Sequence, residues 1–192
     1  MISRRAFGAS LLGSVLVRAP AAAAAPPPAA EGVLRQDLQE ARWPADIVRA
    51  ADRYVVGYPQ GPAAAVARAM LDPARQSARA LDRNVRLYRG DFRLDGASPA
   101  LREEVRKAAL ADKDAALRAA HMIRGEENGV VFEVNRYVGW LQFAAALGNG
   151  SASYELAMHY RKADQPALAA PYELRAEELG FRAPTLLDNI RK

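Results

Sequence analysis

The chain contains no cysteine in 192 residues. That absence excludes disulfides, thiolate metal sites and a lipidated N-terminal thiol, so the fold has to hold by packing alone. Histidine is scarce, with His121 and His159 the two examples. There is no nucleophile elbow, no phosphate-binding loop and no paired-histidine metal helix. Glu126-Glu127 and Glu177-Glu178 are neighbours in sequence. On a helix such neighbours point in different directions, so neither pair makes a carboxylate dyad. No strand-like alternation is convincing. Gly129 to Val134 is the one β-leaning run, and it reads equally as the approach to a helix. No cofactor and no metal is expected.

The first residues carry a charged start, Met1-Ile2-Ser3-Arg4-Arg5, then the mildly apolar run Ala6 to Val17 and an alanine-rich stretch to Ala25. This is the pattern of a secretory signal peptide over residues 1–25. The apolar run is too short for a membrane span, which needs about 20 residues. Ser3-Arg4-Arg5-Ala6-Phe7 matches a twin-arginine core, and Arg18 adds a charge beyond a weakly hydrophobic segment. Gly8 and Ala9 depart from the residues that often follow, which leaves the ordinary secretory route open. A periplasmic or secreted protein is expected, with no stable membrane span once the signal is cut. Residues 26–30 read as an extended Pro/Ala leader.

Removal of the signal changes the charge. The chain has 27 basic and 22 acidic residues, and Arg4, Arg5 and Arg18 leave with the signal. The remaining +2 argues against a nucleic-acid partner, despite the sequence pI of about 9.7. About 165 residues remain, enough for one domain with a sizeable core.

From Glu31 onward the pattern is helical. Pro44 ends one segment and opens the next, and Gly57, Pro59 and Gly61 close it. Pro62 marks a short helix to Leu71. Asp72-Pro73 then reads as an N-cap with proline behind it, predicting a new helix to about Arg89. Ser98-Pro99 repeats that signal for a helix to about Ala111. The most informative stretch is Asp112 to Gly180, which is written nearly twice. Ala115 and Arg124 match Ala152 and Arg161, at an offset of 37; Trp140, Ala144, Leu147 and Gly148 match Tyr172, Ala176, Leu179 and Gly180, at 32. The shortening must lie between the two halves of the second copy. Arg75 to Ala111 aligns as a third, degenerate copy. Gly139 before Trp140 and Pro171 before Tyr172 are poor helix-interior residues. They predict a kink in the first copy and a late helix start in the second.

The order of small residues, aromatics and closing glycines resembles the Sel1-like repeat, a relative of the tetratricopeptide repeat. The second copy supplies Ala152, Leu156, Ala157, Tyr160, Tyr172, Ala176 and Gly180; the first supplies Ala115, Ala119, Ala120, Trp140, Ala144, Ala145 and Gly148. The turn Lys162 to Pro166 departs from the pattern in lacking glycine, and Glu177 stands where a second alanine is usual. The resemblance implies an all-α fold, a short α-solenoid of stacked antiparallel helix pairs. An N-terminal helical cap (31–72) would precede repeats over 73–183 (about 75–111, 112–148 and 149–180), followed by a tail, 184–192. It also implies a non-enzymatic module that binds a protein or peptide in the cell envelope.

Five arginines, Arg75, Arg79, Arg83, Arg86 and Arg89, would share one side of the predicted 73–89 helix. They read either as a basic ridge for an acidic partner or as an ordinary solvated face. The alternative function is a small envelope enzyme or enzyme inhibitor acting through this helix. A cleft joining these arginines to Glu103, Glu104 or a histidine would favour the enzyme, and an open groove of mixed polarity the binder. His121 and His159 sit one residue out of register between the copies, about 100° apart around equivalent helices. A shared histidine site is therefore not expected. Trp140, Phe143, Tyr160 and Tyr172 read as core.

Overall fold

A computed structural model describes residues 28–125 and 133–182. Among these residues there are nine helices and no strand. They are α1 (Pro28–Glu40), α2 (Pro44–Gly57), α3 (Ala64–Leu81), α4 (Arg89–Arg93), α5 (Pro99–Ala108), α6 (Lys113–Arg124), α7 (Val134–Ala146), α8 (Gly150–Lys162) and α9 (Pro166–Glu178). The export signal with Arg4 and Arg5, the acidic pair Glu126-Glu127, most of the β-leaning run and the tail 184–192 lie outside the described residues. No helix among the described residues is long and apolar enough to cross a membrane. Helices adjacent in sequence pack on one another from α1 to α3 and from α4 to α9, and α3 also meets α7.

The first three helices close a small core of their own around Leu38, Ala50, Ala51, Tyr54, Ala64 and Ala67. The Tyr54 hydroxyl donates to Glu31 Oε1 at 2.6 Å and accepts from the Ala63 amide at 3.1 Å. Pro28 to Ala30, expected in an extended leader, form the first turn of α1; proline's fixed φ suits that position.

The Asp72-Pro73 signal does not start a helix. α3 passes through it, with Pro73 in its interior. Proline costs about 3 kcal/mol in a helix interior, yet the buried residues Ala64, Ala67, Ala74, Ser77 and Ala80 keep helical spacing on both sides of it. Burial of that continuous face outweighs the local penalty. Ser77 then ties α3 to the end of α5. Its hydroxyl donates to the Ala108 carbonyl at 3.0 Å and accepts from the Ala111 amide at 2.9 Å. α3 stops at Leu81 rather than near Arg89, and Asn84 adopts a left-handed φ of 59°. The helix expected over 73–89 is thus corrected to the end of α3 plus a non-helical segment, 82–88. The alignment of Arg75 to Ala111 as a third copy sets Arg89 against Arg124 and fails in the same place, because Arg89 opens α4 whereas Arg124 closes α6.

Ser98 caps α5 as expected, accepting from the Leu101 amide at 3.2 Å, but that helix ends at Ala108. The short α4 contributes Phe92, which meets Trp43, Trp140 and Phe143 at ring-centroid distances of 5.1, 5.0 and 5.8 Å. Asp91 in the same helix accepts from the Tyr88 amide at 2.7 Å and from Arg136 Nε at 2.8 Å, which fixes α4 to α7.

The duplicated stretch forms two equivalent helix pairs, α6 with α7 and α8 with α9. Asp112 and Asn149 cap α6 and α8 through the amides of Ala115 and Ala152, both at 2.8 Å. Ala115, Ala120, Ala152 and Ala157 are all fully buried. Gly148 and Gly180 close the two pairs with φ of 93° and 74°, the left-handed conformation that satisfies the last carbonyls of a helix. In the glycine-free turn Asp164 takes that role at φ 54°; aspartate tolerates it better than most residues. The shortening lies in the connections, 125–133 against 163–165. α9 starts at Pro166 and continues through Pro171, which corrects the expected late start. α7 likewise runs through Gly139.

Ala144 and Ala176 are 0% and 3% exposed at equivalent positions. Leucine at either should therefore overpack, at a cost of about 1–3 kcal/mol. Urea melts should show lower midpoints for Ala144→Leu and Ala176→Leu, the second less so because α9 has fewer neighbours. Arg118→Leu should change less, since that side chain is half exposed and its largely buried partner Glu104 keeps Lys107 at 3.2 Å. Unaltered midpoints for both alanine variants would contradict the equivalence.

Candidate functional site

A concavity of about 900 Å³ lies between segment 82–88 and helices α7, α8 and α9. One of its walls, segment 82–88, rests on Gly139. A Cβ at that position would stand 2.5 Å from the Arg86 carbonyl oxygen and 2.9 Å from Leu87 Cδ2. Glycine lets segment 82–88 lie directly on α7. One turn further along α7, Gln142 Oε1 accepts from the Arg86 amide at 3.0 Å while its Nε2 donates to the Tyr160 hydroxyl at 3.2 Å. This buried amide therefore joins the segment to α8 across α7.

Tyr160 and Tyr172 stack with ring centroids 5.8 Å apart and planes 17° apart. Both rings line the groove. Burial, with Tyr160 alongside, raises the Tyr172 hydroxyl above the ordinary tyrosine value; Gln142 and Arg86 pull in the opposite direction. Expectation had placed both tyrosines in the core. Tyr160 is buried there, whereas Tyr172 is half-buried and presents one side to the groove.

Three guanidinium groups line the same groove: Arg83, Arg86 and Arg175. Arg175 pairs with Glu178 at 3.1 Å. The side chains of Arg83 and Arg86 make no hydrogen bond or ion pair among the described residues. Among the described residues no carboxylate belongs to the lining. The groove thus offers positive charge, an aromatic platform and the apolar Leu168, which is half exposed. Gln142 and Arg175 were not singled out in the sequence. They are distant from segment 82–88 along the chain, and only the fold brings them together.

The predicted ridge does not form. Arg75 pairs with Asp52 at 3.1 Å and with Asp72 at 3.4 Å. Arg79 donates to the Arg75 carbonyl at 3.3 Å and lines a smaller concavity beside α3. Arg89 pairs with Asp46 at 2.8 Å. Of the five, Arg83 and Arg86 alone reach the groove, because the helix meant to align them ends at Leu81.

Glu103 and Glu104 face away from this site and are engaged elsewhere. Glu103 binds Arg106 with two bonds of 2.9 Å, and Glu104 binds Lys107 at 3.2 Å and Arg118 at 2.8 Å. Neither histidine lines the groove. Both instead border a separate concavity of about 450 Å³ near the start of α7. Register alone had suggested that they stay apart, but the rotation carries them to two sides of one depression. His121 Nε2 lies 2.9 Å from both Glu155 oxygens, and the Tyr137 hydroxyl donates to Glu155 Oε2 at 3.1 Å. His159 packs edge-on against Tyr160 at 5.5 Å. The two rings have different partners, and Glu155 acts as a tie between α6, α7 and α8. Among the described residues no group of three or more acidic or histidine side chains is suited to hold a metal ion.

No protein-family model matches the chain, and neither a curated protein nor a solved structure is significantly similar to it.

Proposed function

We propose that this chain is a non-enzymatic binding module of the cell envelope, built from Sel1-like helix pairs, whose groove takes an acidic peptide segment of a protein partner. The observation that carries this reading is the lining itself. Among the described residues, two unpaired guanidiniums and a stacked tyrosine pair surround an open groove without a carboxylate. An anionic, partly apolar segment complements both parts of such a surface, and unpaired arginines favour bidentate binding of carboxylates. The alternative, an enzyme or inhibitor acting through Arg75 to Arg89, loses support on two counts. Those arginines do not share a helix, and Glu103, Glu104 and both histidines lie away from the groove.

A labelled, capped decapeptide alternating glutamate with phenylalanine tests the reading by fluorescence anisotropy. Replacing Arg83, Arg86 and Arg175 together by glutamine should weaken binding at least about tenfold, since a hydrogen bond to a charged group contributes roughly 1.5–3 kcal/mol. Arg75→Gln with Arg79→Gln should leave it unchanged. Binding by the wild-type protein should weaken as salt rises. Equal affinity of the triple variant, or equal loss in the control, would sink the assignment.

Export is part of the same proposal and rests on Ser3 to Phe7 with Arg18. Replacing Arg4 and Arg5 together by lysine should retain the precursor inside the cell. Normal processing of that variant would rule out the twin-arginine route and leave secretion open.

A further inference from the structure

On a different face, a concavity of about 460 Å³ lies where α1, α2 and α3 approach α5. It marks the seam between the two hydrophobic cores, which share only the half-buried Ala41 and Met70 as packing partners. Both of those residues line it. Its floor is made by the buried Leu38 and Ile47 together with Met70 and Leu110, and Val66, 58% exposed, forms one lip. Apolar surface is thus left uncovered at a joint that packing has not filled.

The polar part of the lining carries one sign of charge. Arg35, Arg42 and Arg106 stand around the apolar floor, with Gln39 and, among the described residues, no carboxylate. Arg106 is committed to Glu103 through two bonds of 2.9 Å. Arg42 gives one nitrogen to the carbonyls of Gln39 and Ala41 and keeps its other donors. Arg35 makes no hydrogen bond or ion pair among the described residues. An occupant that removes the floor from water and also satisfies these donors must be apolar at one end and anionic at the other. The size falls within the range of small-molecule sites, about 300–1,000 Å³.

We infer that this seam is a binding site for a free amphiphilic carboxylate, its alkyl chain on Leu38, Ile47, Met70 and Leu110 and its head group at Arg35 and Arg42. The site is independent of the peptide groove, with which it shares no lining residue. A concavity this confined fits a single detached chain rather than the face of a bilayer.

Isothermal titration of the protein with octanoate, decanoate and dodecanoate, each below its micelle concentration, tests this. One site per chain is expected. Affinity should rise roughly fourfold for each methylene buried, until the chain outgrows the concavity. Acetate should not bind. Val66→Trp, at an exposed position that does not endanger folding, should cover the mouth and abolish dodecanoate binding. Arg35→Gln with Arg42→Gln should weaken dodecanoate about tenfold and leave dodecanol unaffected. The proposal is overturned if dodecanoate gives no binding, or if it binds the Val66→Trp and double-arginine variants as it binds the wild type. Retention on phosphatidylglycerol vesicles without a response to free dodecanoate would also overturn it.

Discussion

Gly139→Ala should destabilise the protein by about 2 kcal/mol, although helix propensity alone predicts a gain of about 1 kcal/mol. Gly139 lies inside α7 and is fully within the fold. The added methyl would stand 2.5 Å from the Arg86 carbonyl oxygen, far inside van der Waals contact. The atom it meets is main chain, so no side-chain rotation relieves the clash. Segment 82–88 must lift from α7, which strains the bond from the Arg86 amide to Gln142 and disturbs the packing of Leu87. The same displacement moves Arg86 and Arg83, so affinity for an acidic peptide should fall together with stability. A urea melt decides the sign, and a midpoint above the wild type would show that the segment does not rest on Gly139.

Phe92→Ala should be the most damaging single truncation, with a loss of about 3–5 kcal/mol. Phe92 is 1% exposed and touches Trp43, Trp140 and Phe143 in one aromatic cluster. It is presented by a helix of five residues, held by Asp91 to Arg136. So short a helix has little stability of its own, and removal of its anchor releases α4 as well as opening a cavity between α2 and α7. A loss of that size approaches the lower end of total stability for a domain, about 5–15 kcal/mol. Arg93→Ala, exposed on the same helix, should change the midpoint little. Near-wild-type stability of Phe92→Ala would contradict the placement of α4 in the core.

The duplicated half was legible in the sequence because its signals are local. The alanines Ala115, Ala120, Ala152 and Ala157, and Gly148 and Gly180 as closers, each act within one or two turns. Pro73 was misread because its local penalty is opposed by burial of Ala67, Ala74 and Ser77 against elements far away in the chain. The ridge came from the other end of that helix, since five arginines at helical spacing mean nothing once the helix stops at Leu81. The groove was not legible. It assembles Arg83 and Arg86 from one segment, Gln142 from α7, Tyr160 from α8 and Arg175 from α9. One clue was present: Gly139, an unfavourable residue in the middle of an apolar helix. Such a glycine often marks a close backbone approach, and here the approaching backbone carries the two unpaired arginines.

On the proposed function the groove, and not the α3 face, takes the peptide. Titration of isotope-labelled protein with the glutamate–phenylalanine peptide, followed by amide and side-chain nuclear magnetic resonance, tests it residue by residue. Saturable shifts are expected at Arg83, Arg86, Gln142, Tyr172 and Arg175, with Arg75, Arg79 and Arg89 unmoved. Shifts confined to Arg75 and Arg79, or spread evenly over all exposed arginines, would contradict it.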